Sequence, residues 1–311
     1  MQGTEEVGKA LQTSPGDLAT LLPSWERSLR AENKSASTIT VYTSGARQLL
    51  DFLQHAGMPT EATAVRREHV ESFIADILSR HSSGTAATRY RGVQQWFKWL
   101  EEEGEIQASP MAKMRPPKVD ERPVPVIPEA DLAALFKACA GRDFVDRRDT
   151  ALIRVFLNTG GRLAEISDLH LEHVDLDLRG LYVTGKGRKG RGLPLGAKAV
   201  KDLDRYLRAR ARHRDAGLPW LWLTRRGRMT DSGVAQVVKR RSEQAGIDPP
   251  IHVHQFRHTF SHLWLSSGGN EHDLAKINGW SSLQMVARYA SSAAIERARN
   301  AHARIDPGAE F

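Results

Sequence analysis

Six prolines fall within nineteen positions, at Pro110, Pro116, Pro117, Pro123, Pro125 and Pro128. Proline has no backbone N–H and a fixed φ, so such a run continues neither a helix nor a sheet and favours extended chain. It divides the 311 residues into two parts, each long enough for a domain. The expected organisation is a helical first domain over 13–108, a semi-rigid linker over 109–127 and a larger second domain over 128–306. Met1 to Gln12 and Asp306 to Phe311 read as poorly ordered ends.

Before the linker the apolar residues recur at helical spacing. Leu18 to Leu29 forms one such stretch, ending near Asn33. A second follows Ser37-Thr38 with Ile39, Tyr42, Leu49, Leu50 and Leu53, and stops at Gly57 and Pro59. A third helix is predicted over 68–79, and a fourth over 86–103 carries Tyr90, Val93, Trp96, Phe97 and Leu100. Aromatics at that spacing are core residues rather than a stacking platform. The second domain opens at Pro128-Glu129-Ala130 and is again mostly helical. Its exception is Gly180 to Leu195, where two short apolar runs flank a Gly- and Lys-rich turn and predict a β-hairpin. The fold class is therefore mainly α, with a small β element in the second domain.

Charge is unevenly placed. Residues 1–120 hold 14 Lys and Arg against 15 Asp and Glu, while the remainder holds 31 against 22. The excess is densest from Lys186 to Arg241 and suggests a polyanionic partner, although a basic face alone is often only solvated. No apolar run approaches a membrane span and no leader precedes the first helix, so a cytoplasmic location without membrane contact is expected. The single cysteine, Cys139, lies in a helical stretch and reads as a buried apolar residue.

Four stretches of the second domain carry residues suited to chemistry on a phosphate. Thr159-Gly160-Gly161-Arg162 sets an arginine behind two glycines, with Glu165 one turn further on and able to orient it. Gly185-Lys186-Gly187-Arg188-Lys189-Gly190-Arg191 is a basic turn without the spacing of a nucleotide-binding loop. His252-Val253-His254-Gln255-Phe256-Arg257-His258 is the third stretch, in which His254 and Arg257 share a helix face. The fourth holds Gly279-Trp280 and then Tyr289. Histidines 254, 258 and 262 have metal-binding spacing, but the glutamate of a zinc-protease helix is missing and no cysteine is near; no metal and no cofactor are expected. Guanidinium groups offer paired charge-assisted hydrogen bonds to a phosphate and can do the work of a cation there.

In order and spacing these stretches resemble the tyrosine recombinase family, also called the phage integrase family, over nearly the whole chain. The resemblance implies a helical core-binding domain and a catalytic domain that together form a clamp on DNA. It makes Arg162 the first catalytic arginine, in a Thr-Gly-x-Arg-x-x-Glu context with Glu165 in support. Lys186 matches the hairpin lysine, His254 and Arg257 the His-x-x-Arg pair, His258 a supporting residue, and Tyr289 the nucleophile. Two positions depart from the pattern. Gly161 is more often leucine, which should be a minor packing change. Trp280 stands where many members have histidine; its indole N–H can donate a hydrogen bond but cannot shuttle a proton.

The implied chemistry is site-specific recombination through a covalent 3′-phosphotyrosyl link. Arg162 and Arg257 clamp the scissile phosphate and Tyr289 attacks it, passing its proton to His254. Lys186 protonates the departing 5′ oxygen. The implied partners are double-stranded DNA sites and three further copies of the chain, a homo-tetramer on synapsed DNA and a monomer or weak associate without it, with accessory factors unspecified. The segment after Tyr289 reads equally as a dock for a neighbouring copy and as an ordinary terminal helix. Integration and excision of a mobile element is the favoured role, with Gly161 and Trp280 setting the chain apart from the Xer pattern. Alternatives are a Xer-like resolvase of chromosome or plasmid dimers, a type IB topoisomerase, and a DNA-binding regulator lacking the chemistry.

Overall fold

In a computed structural model the described residues are 16–119, 125–185 and 190–280, with 282, 284–287, 298–299 and 302–303. Met1 to Gln12, Lys186, Tyr289 and the C-terminal residues after 303 lie outside them. The chain divides into two compact units, Met1–Arg122 and Pro123–Phe311.

The first unit is four helices: α1 (Leu18–Ala31), α2 (Ala36–His55), α3 (Arg67–Arg80) and α4 (Ser83–Glu102). Three begin on side chains that accept from otherwise unpaired backbone N–H groups: Asp17 from Ala19, Ser35 from Thr38 and Ser82 from Thr85. The cap at Ser82 starts α4 three residues before the apolar pattern does, at Ser83. Trp25 stacks on Trp96 at 5.8 Å between ring centroids, and Tyr90, Val93, Phe97 and Leu100 are buried with them. Each such side chain contributes roughly 1.5–3 kcal/mol by leaving water. Helices α2 and α4 cross closely because two glycines face the crossing. A Cβ on Gly45 would lie 3.2 Å from the Arg89 carbonyl oxygen, and one on Gly92 would lie 3.1 Å from that of Tyr42.

The second unit begins with α5 (Glu129–Ala138), α6 (Phe144–Thr159) and the short α7 (Leu163–Ser167). A three-stranded antiparallel sheet follows, in the order β1 (Val174–Asp175), β2 (Gly180–Thr184), β3 (Gly190–Pro194). The expected hairpin is β2 and β3, paired from Gly180 opposite Pro194 to Thr184 opposite Gly190. Then come α8 (Ala197–Arg210), a two-stranded ribbon of β4 (Leu223–Thr224) and β5 (Gly227–Arg228), α9 (Asp231–Gln244), α10 (Val253–Ser266) and α11 (Glu271–Asn278). The strands β1, β4 and β5 have two residues each, too few for an alternation to be legible in sequence.

The core of this unit gathers Leu152, Phe156, Tyr206, Trp222 and Phe256, all without exposed surface, and buries Cys139. Burial pushes the Cys139 thiol up to about 11, so it stays protonated and packs as an apolar group. Asp149, also fully buried, accepts from Arg148 beside it on α6 and from Arg240 and Arg241 on α9. Arg210 at the end of α8 donates to the carbonyls of Ala216, Leu218, Trp220 and Leu221, which folds the segment leading into β4 around one guanidinium. Among the described residues no helix is long and apolar enough to cross a membrane.

Candidate phosphate-binding site

Two helices of the second unit end on glycines in the left-handed region, and their last carbonyls form one corner. Helix α6 ends at Gly160, with φ 60°, where a Cβ would come within 2.5 Å of the Phe260 ring. Glycine is needed there for both conformation and space. Helix α11 ends at Gly279, also at φ 60°, and the next N–H, that of Trp280, returns to the Ala275 carbonyl. This double turn fixes the direction in which Trp280 leaves the helix.

The last carbonyls of a helix lack intrahelical donors and carry the negative end of its dipole. At the C-terminal end of α11 and its Gly279 cap, three consecutive carbonyls each receive a different arginine. Arg191 Nε donates to Ile277 at 2.8 Å, Arg257 Nη2 to Asn278 at 2.6 Å, and Arg162 Nη2 to Gly279 at 3.2 Å. Arg257 Nη1 also donates to the Gly160 carbonyl at 2.8 Å, joining the two helix ends. The Trp280 ring lies beside the Arg257 guanidinium, 5.1 Å from its centroid.

Arg162 is placed by a tight turn. Thr159 Oγ1 accepts from the Gly161 N–H, and Arg162 then caps α7. Glu165 accepts from the Arg162 backbone N–H on one oxygen and from Arg162 Nη1 on the other, both at 2.8 Å. The same carboxylate receives Arg191 through Nη1 and Nη2, each at 2.8 Å. Burial works to raise the pKa of Glu165, but the hydrogen bonds from Arg191 and Arg162 outweigh it and hold the carboxyl at about 2, against an ordinary 4.5. Beside Arg162 opens a cavity of about 300 Å³, lined also by His173, Tyr182, Thr184 and Gly185. The side chain of Arg162 remains 35% exposed, whereas those of Glu165 and Arg191 are largely covered.

Of the residues singled out in sequence, the structure brings Arg162, Glu165, Arg257 and Trp280 to this corner. His254 lies on α10 one turn before Arg257 and is exposed; His258 follows Arg257 and is half-buried. Lys186 and Tyr289 lie outside the described residues, although the strands that flank Lys186 end at Thr184 and Gly190, close to the cavity. Among the described residues no group of three or more His, Cys, Asp or Glu is arranged to hold a metal. A Cβ on Gly161 would come within 2.6 Å of the end of the Ile166 side chain, so a leucine there would require Ile166 to shift.

Arg191 was not assigned a role from sequence. Its signal was available in the strand alternation: opposite the buried Val183, and two residues before the buried Leu193, it takes an inward register position. A charge there demands a partner.

The phage integrase family profile matches residues 125–296. The tyrosine recombinase XerC of Chromobacterium violaceum is 31% identical over 265 residues, covering 84% of this chain and 86% of that protein. The tyrosine recombinase XerD of Corynebacterium glutamicum is 30% identical over 284 residues, covering 86% and 92%. In fold, the Tn1549 transposon integrase in complex with a circular intermediate DNA gives a TM-score of 0.73 at 18% identity, over 94% of this chain and all of that one. The XerH recombinase bound to its difH substrate gives 0.71 at 16% identity, over 92% and 84%. With its arginine corner, its helical architecture and these relatives, the chain belongs to the phage integrase family of tyrosine recombinases.

Proposed function

We propose that the chain is a site-specific recombinase that cuts and rejoins double-stranded DNA through a phosphotyrosyl link at Tyr289. One observation carries the reading: Arg162 and Arg257, ninety-five residues apart, are fixed on neighbouring carbonyls of a single corner. Two guanidiniums held this way present preorganised positive charge to one phosphate, whose charge grows in the transition state.

In the proposed reaction the Tyr289 oxygen attacks phosphorus in line and the bond to the 5′ oxygen breaks. The phenol proton, which has a pKa near 10 when free, passes to His254. Lys186 supplies a proton to the leaving oxygen. Trp280 positions and packs, with His258 and Glu165 in support. The bond energy stays in the phosphotyrosine, and the 5′ hydroxyl of a partner strand then displaces the tyrosine. Four copies on two paired sites, working in the cytoplasm, would complete the exchange. Residues 13–108 serve as the core-binding domain and 128–306 as the catalytic domain, bridged by 109–127.

Integration or excision of a mobile element is one biological role. The Xer names of the sequence relatives favour a second, resolution of chromosome or plasmid dimers. Nicked suicide substrates from the native locus test the common chemistry. Wild type is expected to give an SDS-resistant adduct, and Tyr289→Phe none. Binding without any adduct would leave a DNA-binding protein, and an adduct that survives Tyr289→Phe would move the nucleophile elsewhere.

A further inference from the structure

We propose that Arg191, on β3, is a positioning residue that neutralises Glu165 and thereby leaves the charge of Arg162 for the scissile phosphate. The inference rests on the recombinase reading above.

The corner contains three charged groups in direct contact. Glu165 binds Arg162 through one guanidinium nitrogen and Arg191 through two, all at 2.8 Å. An isolated Arg162–Glu165 pair would be close to neutral, and a neutral pair stabilises a phosphate poorly. Arg191 supplies the missing positive charge, so the trio carries a net +1. That charge is exposed only at Arg162, because the side chains of Arg191 and Glu165 are 13% and 5% accessible against 35% for Arg162. In a partly buried site this difference acts at low dielectric, where it weighs more than in water.

The position of Arg191 is also built. Its Nε donates to the Ile277 carbonyl, and its guanidinium lies against Gly279, where a Cβ would be 3.2 Å from Cζ. The strand β3 is therefore fastened to the helix end that delivers Gly279 and Trp280. A lysine could keep the charge, but it has one nitrogen and cannot reach both Glu165 oxygens and Ile277 in the geometry of a planar fork.

The test compares adduct formation and binding on the substrates that trap wild type. Arg191→Met is expected to slow single-turnover adduct formation on the order of a hundredfold, the scale of one lost transition-state contact, with DNA affinity changed by less than about threefold. Adding Glu165→Gln to Arg191→Met removes the charge that Arg191 had balanced and is expected to recover about tenfold of the rate. A role confined to folding would make the double variant as slow as Arg191→Met, or slower. Should Arg191→Met fail to fold, as read by its melting, Arg191→Lys takes its place: the rate falls less than tenfold if charge is what matters. Wild-type rates in Arg191→Met, an equal loss of binding and rate, no recovery in the double variant, or a hundredfold loss in Arg191→Lys would each overturn the assignment. Absence of an adduct with wild type itself would instead remove the recombinase reading on which it stands.

Discussion

Burial raises the pKa of a carboxylate, yet Glu165 is held at about 2 because Arg191 and Arg162 saturate both its oxygens. A carboxyl whose pKa is lower in the folded chain than its ordinary 4.5 contributes stability in full above that value. The contribution fades as pH falls from there through about 2. Glu165→Gln should therefore melt below wild type near neutral pH, and the gap should close as the solution approaches about pH 2. Melting both proteins across that range checks it; a gap independent of pH would mean that shape, not charge, is what Glu165 supplies. At this scale the sequence was informative where local spacing carries the meaning. Arg162 and Glu165 lie one turn apart, so their pairing is written in the chain, and Arg257 follows His254 by three on the same helix. The link from Arg191 to Ile277 spans 86 residues, and only the folded chain brings those two together.

Helices α6 and α9 meet at a buried charge rather than only at apolar side chains. Asp149 accepts from Arg241 Nε at 2.8 Å and from Arg240 at 3.0 Å, while Arg241 reaches on to Asp146 and to the Ala138 carbonyl at the end of α5. Removing one partner of such a group strands the others in low dielectric, which costs about 3–5 kcal/mol. Asp149→Asn is expected to destabilise the second unit by that order, read as a lower urea midpoint in the fluorescence of its buried Trp222. A change below about 1 kcal/mol would place the cluster among ion pairs of no consequence. The long helices were legible through their apolar periodicity, while the caps at Ser35 and Ser82 start two of them ahead of the first periodic residue. The ribbon of β4 and β5 was not: its pairing depends on Gly227 in a left-handed turn and on packing of Leu223 and Met229, none of which leaves a period in two-residue strands.

Each unit carries a hydrophobic cluster of its own, one around Trp25, Trp96 and Phe97, the other around Phe156, Trp222 and Phe256. Cooperative unfolding follows the core, so calorimetry should resolve two transitions. Asp149→Asn should lower only one of them, and a single transition that shifts as a whole would show the two units melting together. The division between the units falls between Arg122 and Pro123, within the proline run. It bears on how such a chain can change over generations. A substitution that spoils the packing around Trp96 has to be answered by its neighbours in the same hydrophobic cluster, which includes none of the residues of the arginine corner. Changes in the packing around Trp96 and changes at the arginine corner can thus be inherited, lost or exchanged on separate schedules, as two traits carried in one gene.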